Sequence, residues 1–318
     1  MCYRLRARKV CRSLRSAVDK FGLRFDCIDL YLRKDEVEMN LSGTTSRYIT
    51  AANGNSNVIH NEQEKLIDRE DFADRALKDL KIVSKHARNI TIWNNTDDRC
   101  DIVTTFIKIF KAEKCIHVKE IELWNFGFDE VLTILSWLDA KMLKKIELVF
   151  IVSIDQFERI TLLEQWGNAE EFILWDSKIA SAMIVHFFHF KLSKHARNIT
   201  IWNNTDDRCD IVTTFIKIFK AEKCIHVKEI ELWNFGFDEV LTILSWLDAK
   251  MLKKIELVFI VSIDQFERIT LLEQWGNAEE FILWDSKIAS AMIVHFFHFK
   301  CFTIDHTDEF PALSVYKI

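Results

Sequence analysis

The chain has 318 residues, 49% hydrophobic and 29% charged, with a formal net charge of −5, the balance of an ordinary soluble protein with one large domain or two modest ones. No apolar run approaches the roughly 18 residues of a membrane span, which excludes a helical membrane role. The eight cysteines, at 2, 11, 27, 100, 115, 209, 224 and 301, include no C-x-x-C pair and no zinc-ligand spacing; they read as small core hydrophobes in a reducing compartment, cytoplasmic or nuclear.

The first segment, "RLRARKVCRSLRSAVDKFG", is basic and places Val10, Leu14 and Val18 on one face, which predicts an amphipathic helix. It has no apolar core or cleavage site of a secretory signal. Its arginines and lysines suit nucleic acid or an acidic protein surface, or else a solvated helix face. Residues 24–58 alternate apolar and polar positions around the turn signals "RKDE" and "NGNSN", which predicts a small β meander. A helix follows in "DREDFADRALKDLKIVSKH".

From there the sequence repeats itself. Ser84–Lys191 recurs letter for letter as Ser193–Lys300, a period of 109 residues. Diverged repeats keep their apolar pattern while surface positions drift, so identity at every exposed Lys, Glu and Asn indicates a recently duplicated coding block or a mis-assembled gene model. Within the block, short β-prone stretches alternate with helical ones. "NITIW" precedes a helix with Ile102, Phe106 and Ile109 or Phe110 in phase, and "KEIELW" precedes one with Val131, Leu135 and Leu138 in phase and Asp129 as its expected cap. "KKIELVF" precedes "SIDQFERITLLEQW", read as one helix with Ser153 and Gln156 at capping-box spacing and Phe157, Ile160 and Leu163 as its stripe. "EEFILW" precedes "DSKIASAMIVHFFHF", read as a buried helix aligning Ile179, Met183 and His186 or Phe187.

The strand markers Ile90, Ile121, Ile146, Phe172 and Ile199 lie 31, 25, 26 and 27 residues apart, so the copied block contains whole βα units and the beat continues across the junction. Units of this size predict an α/β fold: a leucine-rich-repeat-like βα solenoid with a parallel sheet, preceded by the short helix and the meander. A doubly wound sheet is the competing architecture, but the seven glycines form no phosphate-binding turn. The expected divisions are 1–23, 24–83, 84–191, 193–300 and a C-terminal strand and tail at 301–318.

Successive strand residues point to opposite faces. If Ile90 and Ile92 meet the helices, a second row faces away: Trp93, Trp124, Val149, Trp175, Trp202, Trp233, Val258 and Trp284, with Glu122, Glu147, Glu231 and Glu256 beside it. An indole row is either a protein-binding surface or a lid sealing the edge of the core. The glutamates would repel a phosphate backbone, so nucleic acid is not expected. His186 and His189, with their copies His295 and His298, have i, i+3 spacing but no convergent Cys or carboxylate, and "NNTDDRCD" lacks the glycine and terminal glutamate of a calcium loop. No hydrolase, metalloprotease or kinase signature occurs; no enzyme activity, cofactor or metal is expected.

"RKVCRSLRSAVDKF" is similar to the final helix of an F-box. "FDCIDLYLRKDEVEMNL", "VKEIELWNF", "LTILSWLDAKMLKKIEL" and "LEQWGNAEEFILWDS" followed by "HFFHFKCFTI" resemble the nematode F-box-associated FTH domain, also known as domain of unknown function thirty-eight. Gly167 and Gly276 stand where that family's Glu-Gln-Trp-Lys-Asn-Ala pattern has lysine. The resemblance implies a substrate receptor of a Skp-cullin-F-box ubiquitin ligase, with Val10, Cys11, Leu14 and Val18 as the adaptor-contacting remnant of a truncated F-box and the solenoid holding a target protein. The alternative is a stand-alone interaction scaffold or decaying paralogue without the ligase link.

Overall fold

The computed structural model describes residues 25–60, 62–96, 101–112, 116–149, 159–160, 162–176, 196–203, 225–258, 263–284, 294–306 and 310–316. The segment expected to form the basic N-terminal helix, with Val10, Cys11, Leu14 and Val18, lies outside these residues. So do Ser153, Gln156, Phe157, Ile179, Met183, His186 and His189. The chain divides into two units, Met1–Asn125 with Ser136–Leu143, and Phe126–Leu135 with Lys144–Ile318.

The first unit opens with five strands, β1 (Phe25–Arg33), β2 (Glu36–Leu41), β3 (Thr44–Thr50), β4 (Ser56–His60) and β5 (Gln63–Ile67), followed by α1 (Phe72–Val83), β6 (Ala87–Asn94), α2 (Asp101–Ala112) and β7 (Glu120–Trp124). Strands β1 to β5 pair antiparallel in sequence. The β2–β3 turn is made by Ser42 and Gly43, both at positive φ (49° and 87°), the backbone that a two-residue hairpin with the native twist requires. Asn40 Oδ1 accepts from the Gly43 amide at 2.8 Å.

The meander therefore runs to Ile67, beyond the end expected at residue 58. Its first strand also does more than expected, pairing in parallel with β6 through Ile28 opposite Ile90, Leu30 opposite Ile92 and Tyr31 opposite Trp93. β7 continues the parallel run beside β6. Helix α1 starts where Asp71 accepts from the amides of Ala73 and Asp74 (2.8 and 3.3 Å), an N-cap worth about 1 kcal/mol. It buries Phe72, Ala76, Leu77 and Leu80 and packs on β2, β3, β4 and α2.

The second unit carries α3 (Phe128–Ser136), β8 (Lys145–Val149), α4 (Glu164–Asn168), β9 (Glu171–Asp176), β10 (Asn198–Asn203), β11 (Glu229–Trp233), α5 (Phe237–Trp246), β12 (Lys254–Val258), α6 (Ile263–Thr270), α7 (Glu273–Asn277), β13 (Glu280–Trp284), β14 (Cys301–His306) and β15 (Phe310–Tyr316). Its strands lie in sequence order from β8 to β15. They are parallel as far as β14, and β15 returns antiparallel. Pro311 sits in β15, the edge strand of this run, the position in a sheet to which proline is largely confined. The fold is thus mixed α/β with an open, mostly parallel sheet. The C-terminal segment forms two strands, rather than one strand and a tail.

One face of these strands is the core. Ile199 and Ile201, Ile230 and Leu232, Ile255 and Leu257, and Phe281 and Leu283 are each at most 1% exposed, and every such side chain contributes about 2 kcal/mol by leaving water. Under the last strands this core is aromatic. Trp275 meets Phe281 and Phe299 at 4.5 and 4.9 Å and Phe266 edge-on at 5.2 Å. Beside it, buried Gln274 donates from Nε2 to the Leu247 carbonyl at 2.7 Å. The "EQW" of the motif is therefore a core anchor, a role its position in the sequence did not disclose.

Three helix expectations need correction. "SIDQFERITLLEQW" is two helices in its second copy, α6 and α7, because Leu272 is extended (φ −73°, ψ 141°) and sends the chain down to bury Trp275; Leu271 is left 84% exposed and its copy Leu162 77%. Asp129 is not the cap of α3. The amide of Gly127 donates to Glu130 Oε2 at 2.8 Å, and Gly236 with Glu239 repeats this bond at the same length. The described end of the last helical stretch is a 3₁₀ turn at residues 294–296 followed by turns and bends to residue 300, with Phe296 and Phe299 buried and Val294 and Phe297 exposed.

Candidate protein-binding face

The other face of the parallel strands carries the residues that alternation assigns to it. In the first unit the register sets Tyr31, Trp93 and Trp124 side by side. Tyr31 stacks on Trp93 at 4.4 Å and 5°, and Trp93 meets Trp124 at 6.1 Å, tilted by 31°. Beneath them Thr91, 4% exposed, donates from its hydroxyl to Glu122 Oε2 at 3.2 Å. Cys27 lies on this face rather than in the core, and its thiol donates to Asp29 Oδ1 at 2.9 Å. Burial, then the hydrogen bond and charge of Asp29, push that thiol up to about 12.

In the second unit Trp175, Trp202 and Trp233 form a continuous stack, with ring centroids 4.1 and 3.7 Å apart and planes 17° and 14° from parallel. Val258 is next in register after Trp233, and Trp284 follows it. The indole N–H of Trp284 donates to Glu256 Oε1 and that of Trp175 to Glu147 Oε1, both at 2.8 Å. These carboxylates are 7% exposed, so they fix ring orientation rather than stand open as contacts. Glu231 accepts from the Thr200 hydroxyl at 3.0 Å.

Lys254 lies 2.8 Å from Glu256 and 3.6 Å from Glu231, and Lys145 lies 3.3 Å from Glu147. Burial lowers the Lys254 pKa, but the bond to Glu256 and the charges of Glu256, Glu231 and Glu229 outweigh it, so the ammonium is held above its ordinary value.

In the first unit Trp93, Glu122 and Trp124 fall in register on this side of the strands, and in the second unit so do Glu147, Val149, Trp175, Trp202, Glu231, Trp233, Glu256, Val258 and Trp284. Alternation already set Thr91, and by repetition Thr200, on this face; the sequence reading missed Tyr31 and the two lysines. Tyr31 was findable, since "DLYL" in β1 matches the "TIWN" of β6 in alternation.

His298 packs on Phe299 at 3.9 Å with Nε2 2.9 Å from the Trp275 carbonyl. Among the described residues no group of three His, Cys, Asp or Glu side chains converges to hold a metal ion. No described helix is long and apolar enough to cross a membrane.

The FTH domain matches residues 100–206 and again 209–318. The chain belongs to the FTH domain family. Each match takes in strands of the parallel run, and their starting points lie one repeat period apart. The chain is also similar to F-box A protein 224 of Caenorhabditis elegans, 23% identical over 206 residues, which is 60% of this chain and 53% of that protein. It thus spans about half the length of the curated relative it matches. No solved structure matches.

Proposed function

We propose that this FTH-domain chain is a non-catalytic protein-binding receptor whose parallel strands form a leucine-rich-repeat-like solenoid and whose indole-bearing face holds a target protein. The observation that carries the reading is the two-sidedness of the parallel strands. Parallel sheets are ordinarily covered on both faces and made of unbroken apolar runs. Here β9, β10, β11 and β13 alternate a fully buried row with a partly accessible row of Trp, Glu, Thr and Ile. A solenoid with helices on one side leaves such a face for partners, and tryptophan is the residue most enriched where binding energy concentrates.

The F-box similarity and the family membership support a place as substrate-recognition subunit of a Skp-cullin-F-box ubiquitin ligase, the F-box holding a Skp-type adaptor through residues that include Val10, Cys11, Leu14 and Val18. The divisions 84–191 and 193–300 are two copies of the same four-unit block, and the second lengthens the target surface. The test is co-precipitation of a chain carrying a complete F-box with the Skp-type adaptor. Adaptor binding that is lost on substituting Leu14 and Val18 by Asp supports the ligase role. A chain that captures its target without the adaptor is a stand-alone scaffold.

A further inference from the structure

The residue immediately before each strand from β8 to β14 is charged, and these residues form a row of their own. Glu170, Arg197, Lys228, Lys253 and Glu279 precede β9, β10, β11, β12 and β13, and from Arg197 onward each main-chain amide donates to the carbonyl of the residue before it in the row, at 2.7 or 2.8 Å. Neighbours therefore stand one strand step apart, about 4.8 Å. Each carboxylate in the row is taken by a cation on either side. Glu170 lies 2.7 Å from Lys144 and 3.5 Å from Arg197, and Glu279 lies 2.9 Å from Lys253 and 2.5 Å from Lys300. Lys228, at the centre, is exposed, and its ammonium has no partner among the described residues.

We propose that the strand-start rim of β10, β11 and β12 is a second docking surface, which takes a short acidic segment of a partner protein on Arg197, Lys228 and Lys253. All three side chains are exposed, and like charges one strand step apart repel, so the row carries a cost that a bound anion offsets. The acids nearest in sequence do not relieve it. Glu229 has the parity of Glu231 and Trp233 and belongs to the opposite face, and Asp248 lies 2.7 Å from His226 and accepts from the Lys250 amide at 2.9 Å. Glu170 and Glu279 bound the window at about 10 Å, which three or four residues of extended chain span at roughly 3.4 Å each. An apolar partner would strip water from these cations and return no counter-charge. A nucleic acid would carry its phosphates past the window onto Glu170 and Glu279, and three cations fall short of the roughly six or more phosphate contacts on which such binding draws. The rim lies at the other end of the strands from the indoles, so it stands whether or not the indole face holds a target.

The test uses the full chain and fluorescein-labelled ligands read by anisotropy: a Gly-Ser peptide with about four consecutive Asp and Glu residues, its Asn and Gln counterpart, and an oligothymidylate. The acidic peptide is expected to bind at least about tenfold tighter than the amide peptide, and to lose most of that advantage between about 0.05 and about 0.3 M salt. Lys119 is the counterpart of Lys228 in the first copy, so both are changed together. Lys119→Glu with Lys228→Glu is expected to bring the acidic peptide down to the affinity of the amide peptide, with the circular dichroism spectrum unchanged. Lys34→Glu with Lys65→Glu, an equal change of charge on exposed residues of the meander, is expected to leave it within about twofold. Equal binding of the acidic and amide peptides, or an equal loss in both double variants, overturns the inference. Oligothymidylate binding at least as tightly as the acidic peptide gives the rim to nucleic acid and overturns it. Concentration-dependent dimerisation in sedimentation that the acidic peptide displaces gives the rim to a second copy, and overturns it too.

Discussion

Trp175 and Trp202 stack at 4.1 Å although they come from different copies of the repeated sequence, Trp175 closing the last strand of the first copy and Trp202 the first strand of the second. In the first copy the counterpart of Trp202 is Trp93, and there the neighbour on the preceding strand is Tyr31, at 4.4 Å. One sequence thus accepts two different strands on the same edge. Both present an apolar, apolar, aromatic pattern in matching register.

That equivalence makes the copy removable. Deleting residues 84–192 joins Val83 to Ser193, and the residues that follow are those that already follow Val83, so no junction is new. The shortened chain is expected to unfold cooperatively with a urea m-value lower by about a third, in proportion to the surface no longer buried. Non-cooperative unfolding in urea would show that the copies are not interchangeable.

Two tryptophans separate face from core. Trp275 is 3% exposed and ringed by Phe266, Phe281 and Phe299, so Trp275→Ala is expected to cost about 4 kcal/mol, the usual cost of emptying a large aromatic site. Trp233 is held by its stack on Trp202, and its buried indole nitrogen has no acceptor among the described residues. Trp233→Ala is expected to cost about 1 kcal/mol, while abolishing target capture. Chemical denaturation of both variants checks the ordering.

Glu279 accepts from Lys300 and Lys253 and lies 2.5 and 2.9 Å from their ammonium groups, which hold its carboxyl at about 2, well below its ordinary 4.5. A carboxylate with a depressed folded-state pKa binds its proton more readily when unfolded, so its contribution is complete above the unfolded value and is lost as pH falls from about 4.5 towards 2. Thermal melts across that window are expected to show Glu279→Gln losing less stability with acidification than the parent. Parallel curves would contradict the assignment.

Cys27 is expected to resist alkylation. Its thiol pKa of about 12 leaves almost no thiolate at neutral pH, and Asp29→Asn, by removing one of the groups that raise it, is expected to speed modification. Mass spectrometry of the peptide carrying Cys27 after timed iodoacetamide treatment reads both rates.

The strands of the repeat and the face of each side chain were legible because period-two alternation in "EIELW" and "EFILW" admits one assignment once the isoleucine side is buried. Where structure departs from that reading, the deciding contact is distant in sequence. The break at Leu271 and Leu272 follows from burying Trp275 among phenylalanines on and beyond the next strand, and helical periodicity in "FERITLLEQW" carries no sign of it. The cap of α3 differs for a simpler reason: Asp129 and Glu130 are adjacent acids in the first turn, and it is Glu130 that accepts from the Gly127 amide. Half of the site's chemistry lay beyond reach as well. That Glu147 and Glu256 serve the indoles depends on diagonal pairing between strands.

The most direct test of the account is a cross-link across the seam between the copies. Ile173 and Thr200 are register partners on β9 and β10, and parallel neighbours lie about 4.8 Å apart, within the Cα separation that a disulfide spans. Ile173→Cys with Thr200→Cys is expected to form an intramolecular disulfide on mild oxidation, identified by mass spectrometry of the linked peptides, with the far-ultraviolet circular dichroism unchanged. A chain that gives no such link, or links only between molecules, would contradict the claim that the second copy continues the parallel strands of the first.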